Sequence, residues 1–241
     1  ALVTSRTRTY EAICSTLVAM ASVGGQWAEE QHYTVWQRAL ERLTTYEQAN
    51  GTVYIVWQGL QRYPATLLLY TLGIGAVEAG KLHLIGRLFA TKIHQEYKGP
   101  AAAVELLPPF CMFANWSAAK LLEGMENRRA PMNDWIFAHL RNQFKQLLPN
   151  DKRYTLTFDK LEILMSLSHA YHCKRPDWGP PGAYGYRHDS RDSILKEMED
   201  SIVQYGDQSP YVLSAIFCDT AEVCNKGIVD FKAFASKLPW Y

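Results

Sequence analysis

The stretch YPATLLLYTLGIGAVEAG, residues Tyr63 to Gly80, carries no charge before Glu78. Its leading Tyr63 precedes a proline and is pushed away from the helical region. Pro64 itself suits a first helical position, where its missing N–H would have had no partner anyway. Gly80 is placed to close the helix in a left-handed conformation. Between these ends Leu67, Leu68, Leu69, Tyr70, Leu72, Ile74 and Val77 fall on every side of a helix, and such a helix must be covered on every side. It is short of the roughly twenty apolar residues that a membrane span requires. Two internal glycines, Gly73 and Gly75, each cost about 1 kcal/mol of helix stability relative to alanine. With Ala65, Ala76 and Ala79 they make a set of small residues that lets neighbouring helices approach closely. The expectation is a central core helix.

Outward from it, the 241-residue chain is 48% hydrophobic and 20% charged, enough for a large core. Its formal net charge of +1 gives no global field toward nucleic acid or an anionic membrane. The five cysteines form no C-x-x-C pair, and their odd number speaks against a disulfide framework. Reduced thiols point to a cytoplasmic protein. The sequence opens on Ala1 and helical periodicity begins almost at once, which suggests a piece of a longer polypeptide.

On the N-terminal side, Tyr10, Ile13, Leu17 and Met20 recur at helical spacing, flanked by Cys14, Val18 and Ala21, with Gly24-Gly25 as the stop. Val35, Trp36, Ala39, Leu40 and Leu43 mark a second helix ending near Asn50-Gly51. The run Thr52–Trp57 has strand composition but no partner strand nearby, so a helix leading to Pro64 is expected. After Gly80, Leu82, Ile85 and Phe89 mark the next helix. Phe110, Phe113, Ala114, Ser117 and Leu121 suggest another, finished before Pro131. Asn133 can cap the helix of Ile136, Leu140 and Phe144. Further helices are expected from Thr157 to His172, from a Ser190 cap to Gly206, from Ser209-Pro210 through Cys224, and from an Asp230 cap to Leu238.

These roughly ten helices without a convincing sheet define an all-α class. An irregular multi-helix bundle forming a single domain over 1–241 is expected, with a soft internal boundary near 149–155. A degenerate helical solenoid is the alternative, although no repeat signature recurs. The run from Arg62 to Leu82 resembles helical regions that follow catalytic domains in large bacterial proteins; no site residue is carried over from that resemblance.

Phosphate-loop, G-x-S-x-G, kinase and H-E-x-x-H signatures are all absent. His169, His172 and Cys173 share the end of one helix, with His188 and Asp189 across the next loop, and these residue types suit zinc. The nearest carboxylate on that helix, Glu162, lies two turns away, and a helix C-terminus favours histidine without any metal. No metal and no cofactor are therefore expected. The basic doublets Arg128-Arg129, Lys152-Arg153 and Lys174-Arg175 sit in connections, too dispersed for the clustered phosphate contacts of nucleic-acid binding.

The connection KRPDWGPPGAYGYRHDS, Lys174 to Ser190, is long for a compact domain, and loops of that length tend to be functional. Its aromatics are costly to leave in water. The candidate binding residues are Arg175, Trp178, Tyr184, Tyr186, Arg187 and His188, types enriched at binding hot spots. Either the loop is a lid folding its rings onto the helices, or it presents them to a partner. The leading functional expectation is a non-catalytic helical accessory, interaction or ligand-sensing module. It would work beside other domains of the same polypeptide or with a partner protein, away from membranes. The alternatives are a metal- or acid/base-dependent enzyme using His169, His172 and His188, and a nucleic-acid binder acting through basic loops.

Overall fold

The computed structural model describes residues 2–45, 55–95, 99–112 and 116–238. Among these residues 74% are helical, with 12 α-helices and almost no strand, the expected all-α class. In chain order these are α1 (Leu2–Trp27), α2 (Tyr33–Thr44), α3 (Ile55–Gln61), α4 (Tyr63–Glu78), α5 (Leu82–Phe89), α6 (Ala103–Leu106), α7 (Pro109–Met112), α8 (Pro131–Phe144), α9 (Asp151–His172), α10 (His188–Tyr205), α11 (Pro210–Leu213) and α12 (Ala221–Ala235). A two-residue antiparallel pair, Lys92–Ile93 with Ala101–Ala102, is the one sheet among the described residues.

Helix α4 is buried along its whole length from Ala65 to Val77, as its all-round apolar sequence requires. It packs against α1, α2, α3, α5 and α9, so the bundle is wrapped around one helix rather than stacked from pairs. Gly80, at φ +69°, ends it: the Lys81 N–H reaches back to the Ala76 carbonyl at 2.8 Å and the Gly80 N–H to Val77 at 3.2 Å. That double closure is a Schellman cap.

The small residues of α4 receive α1. A methyl group on Gly75 would meet the Ser22 oxygen at 3.0 Å, and one on Gly25 would collide with the Leu72 carbonyl oxygen. Gly24-Gly25 is consequently not a helix stop. Helix α1 continues to Trp27 because both glycines serve packing: Gly25 lies where the α1 and α4 backbones touch, and Gly24 makes room for the Trp36 ring of α2. The inward face of α1 is also rotated from expectation: Cys14, Val18 and Ala21 are buried, whereas Ile13 and Met20 are exposed.

Other boundaries differ for local reasons. Helix α9 starts at Asp151, not Thr157, because the Asn150 side chain accepts the Arg153 N–H and caps it. The residues of 151–155 are thus helical, and the buried apolar cluster includes side chains from both sides of them. Helix α8 starts at Pro131, leaving Asn133 free of capping and buried. Helix α10 opens at His188, two residues before Ser190. The helix begun by Ser209-Pro210 stops at Leu213, since Ala215 takes a left-handed φ of +49°. Thr220 then caps α12, inside which Asp230 pairs with Lys226 instead of capping. The segment after α7 resumes as a 3-10 turn at Trp116–Leu121. Asn50-Gly51, Thr52, Val53, Tyr54, Phe113 and Ala114 lie outside the described residues. No helix among the described residues is long and apolar enough to cross a membrane.

Candidate functional site

The segment between α9 and α10 lies as a strap along α9, and two glycines let its backbone come that close. A methyl group on Gly179 would run into Ser166 Oγ and the Ser166 carbonyl, and one on Gly182 would sit 2.5 Å from Glu162 Oε2. The strap's start is fixed by another Schellman cap: Lys174 has φ +54°, and the Arg175 N–H donates to the Ala170 carbonyl at 2.9 Å.

On its inner side the strap is fastened by three carboxylates. Glu162 Oε2 accepts the Ala183 N–H at 2.7 Å. Asp159 Oδ1 accepts from Arg187 Nη1 at 2.7 Å, and Asp134 Oδ1 accepts a short hydrogen bond from the Tyr186 hydroxyl. Helices α4 and α8 complete the surroundings of Glu162: its Oε1 accepts from Asn133 Nδ2 at 2.6 Å and from the Tyr70 hydroxyl at 3.2 Å. Burial raises the Glu162 carboxyl to about 7; the Asn133 donor opposes that rise, the Asp159 charge adds to it, and Arg187 and the Ala183 N–H oppose it. Burial also raises Asp159, against the lowering pull of the Arg187 guanidinium. The guanidinium lies 4.4 Å above the Phe137 ring, so its flat face is covered by an aromatic.

The six sequence candidates are thereby placed. Tyr184 is fully buried, its hydroxyl 2.9 Å from the Pro180 carbonyl oxygen and 3.2 Å from Ser166 Oγ, its ring 5.3 Å from that of Phe231. Tyr186 and Arg187 are half-buried against α8 and α9. Arg175 is exposed, and His188 is half-buried at the first residue of α10. Trp178 is half-buried and meets the His169 and Phe110 rings edge-on at 5.0 and 5.5 Å.

Trp178 alone of the six reaches the outer feature of the strap. A cleft of about 220 Å³ lies between the C-terminal half of α9, the strap and α12. Its walls are almost entirely apolar. Leu167, Trp178, Phe217, Phe231 and Phe234 contribute rings and methyls, and Gly227 leaves a gap in the α12 wall. Ser166 also lines it, as do Lys226 and Asp230, which form an ion pair with each other. Sequence reasoning missed Phe217, Phe231 and Phe234 as site residues, since their spacing reads as ordinary core.

The histidines arrange otherwise. His169 is buried and pushed down to about 4 by that burial, so its imidazole is neutral. Its Nε2 lies 3.5 Å from Cys173 Sγ, which is 3.8 Å from Glu105 Oε2. Burial, then Glu105, raises the Cys173 thiol, which keeps it protonated. Among the described residues no group of three or more His, Cys, Asp and Glu side chains is arranged to hold a metal ion.

No family model, no curated protein and no solved structure matches this chain.

Proposed function

We propose that this chain is a non-catalytic helical module that senses a small, predominantly apolar ligand in the α9–strap–α12 cleft. Its output would pass to other domains of a longer polypeptide or to a partner protein. The observation that carries this reading is the cleft itself: a concave apolar site with a few polar groups is the usual form of a small-molecule site. The ligand must be small, because about 220 Å³ is below the range of drug-sized pockets. The strap is suited to report occupancy, since Trp178 and Gly179 face the cleft while Ala183, Tyr186 and Arg187 grip the core. The free cysteines suit a reducing, cytoplasmic setting.

Octanoate and indole, each of about ten non-hydrogen atoms, are suitable probes for calorimetric titration. One-to-one binding with Kd between micromolar and millimolar, about −4 to −8 kcal/mol, is the expected result. Gly227→Leu should abolish it while the melting temperature holds or rises. A methyl at Gly227 meets only Phe217, at 3.5 Å, an ordinary contact, so the larger side chain enters the cleft rather than the core. If neither probe binds, or if Gly227→Leu binds them as well as the parent does, the cleft is not a ligand site.

A further inference from the structure

Among the described residues, nothing in the bundle covers the outward face of α1. From Ala12 to Ala28 the sequence contains no Asp, Glu, Lys, Arg or His. Ala12, Thr16, Ala19, Met20, Val23 and Trp27 are all exposed there, with Trp27 at 59%, Met20 at 60% and Val23 at 50%. At 100° per residue these six fall within a sector of about 100°, one continuous stripe along the helix. Ile13, 74% exposed, borders it. A monomer rarely leaves so large a contiguous apolar patch in water.

We propose that this stripe is the interface of a homodimer in which two α1 helices pack antiparallel about a two-fold axis passing between Ala19 and Met20. The stripe's own order of sizes selects that occupant. Small residues fill its N-terminal half and large ones its C-terminal half. An antiparallel pairing centred between Ala19 and Met20 sets Trp27 over Ala12 of the second copy, Val23 over Thr16, and Met20 over Ala19. Each large side chain then meets a small one, twice over, as an isologous interface demands. A parallel pairing would stack Trp27 on Trp27 and face Ala12 with Ala12, crowding one end and emptying the other. The absence of charge removes any electrostatic obstacle to bringing two identical faces together, since no like charges oppose across the axis. The six residues with Ile13 offer on the order of 600 Å² per copy, so the pair buries about 1,200 Å², the lower limit for a specific interface. The dimer is therefore concentration-dependent, and its surface lies on α1 rather than at the α9–α12 cleft.

Sedimentation equilibrium of the full chain tests this. At about 100 µM the parent should approach twice its 27.5 kDa chain mass and dissociate on dilution. Met20→Glu and Ala12→Glu, both at exposed helical positions, should each remain monomeric at that concentration with parental circular dichroism and melting temperature. Two variants keep the test readable if one fails to fold. Val203→Glu, at an 83% exposed apolar residue of α10, should stay dimeric. A parent that is monomeric at 100 µM, or a folded Met20→Glu and Ala12→Glu that still dimerise, overturns the proposal.

Discussion

Glu162 accepts hydrogen bonds from α4, α8 and the strap at once, at 2% exposure. Its carboxyl titrates near 7 in the fold against 4.5 in an unfolded chain, because burial penalises its charge more than three donors reward it. The folded state therefore holds a proton that the unfolded state releases, and stability declines as pH climbs from about 4.5 to about 7, then levels off. The size of that decline is on the order of 3 kcal/mol. The neighbouring Asn133 Oδ1 has no partner; a half-turn of that amide turns Oδ1 toward Glu162 and supplies the acceptor that a protonated carboxyl needs. Glutamine at 162 offers an N–H to the same acceptor and does not titrate. Urea denaturation of the parent and of Glu162→Gln at pH 5 and pH 8 isolates the effect. The parent should lose about 3 kcal/mol relative to the variant over that interval, and a pH-independent difference would show that Glu162 titrates normally. In the sequence this residue is only an acid between Leu161 and Ile163. Its burial is decided by Tyr70 and Asn133, 92 and 29 positions away, and no local pattern carries that information.

At the scale of the element, the strap has two faces with different duties, and this is why its sequence reads ambiguously. Aromatic content alone marks Trp178, Tyr184 and Tyr186 as buried or contacting, without saying which. The structure separates them: Tyr184 fills core, Tyr186 ties to α8, and Trp178 walls the cleft. The glycines carry the better signal, for Gly179 and Gly182 are spaced to let the backbone touch α9 at Ser166 and Glu162. Gly182 has φ −136°, an extended conformation open to any residue, so a substitution there acts through contact alone. Gly182→Ala should push the strap off α9 and cost about 2 kcal/mol, the usual price of overpacking. The Ala183 amide, released from Glu162, should exchange with solvent faster than in the parent. Hydrogen exchange at that single amide, together with thermal melts, checks the prediction. An unchanged exchange rate would mean that the strap is held by its side chains and not by its backbone.

Over the whole molecule, the organising fact is that α4 is surrounded, and this much is legible in eighteen residues. An all-apolar helix with capping signals at both ends can only be central. The lengths of its neighbours are less legible, because glycine has two uses. Gly24-Gly25 in α1 reads as a stop, but Gly25 faces Gly75 of α4 while Gly24 makes room for the Trp36 ring, and a sequence does not show what each glycine faces. The two close approaches on α4 differ in kind, which yields a graded expectation. A methyl on Gly25 meets backbone, the Leu72 carbonyl and the Gly75 Cα, and neither helix can yield without shifting as a rod. A methyl on Gly73 meets the end of the Leu161 side chain at 2.6 Å, which can adopt another rotamer. Alanine in a helix also gains about 1 kcal/mol over glycine, and at Gly73 that gain offsets the repacking of Leu161. Gly25→Ala should therefore destabilise by about 3 kcal/mol, toward the upper end of overpacking costs, while Gly73→Ala stays within about 1 kcal/mol of the parent. Chemical denaturation of both variants measures the difference directly. Equal losses would mean that α1 and α4 are not in backbone contact, and a tolerated Gly25→Ala would return Gly24-Gly25 to the role of a simple helix end.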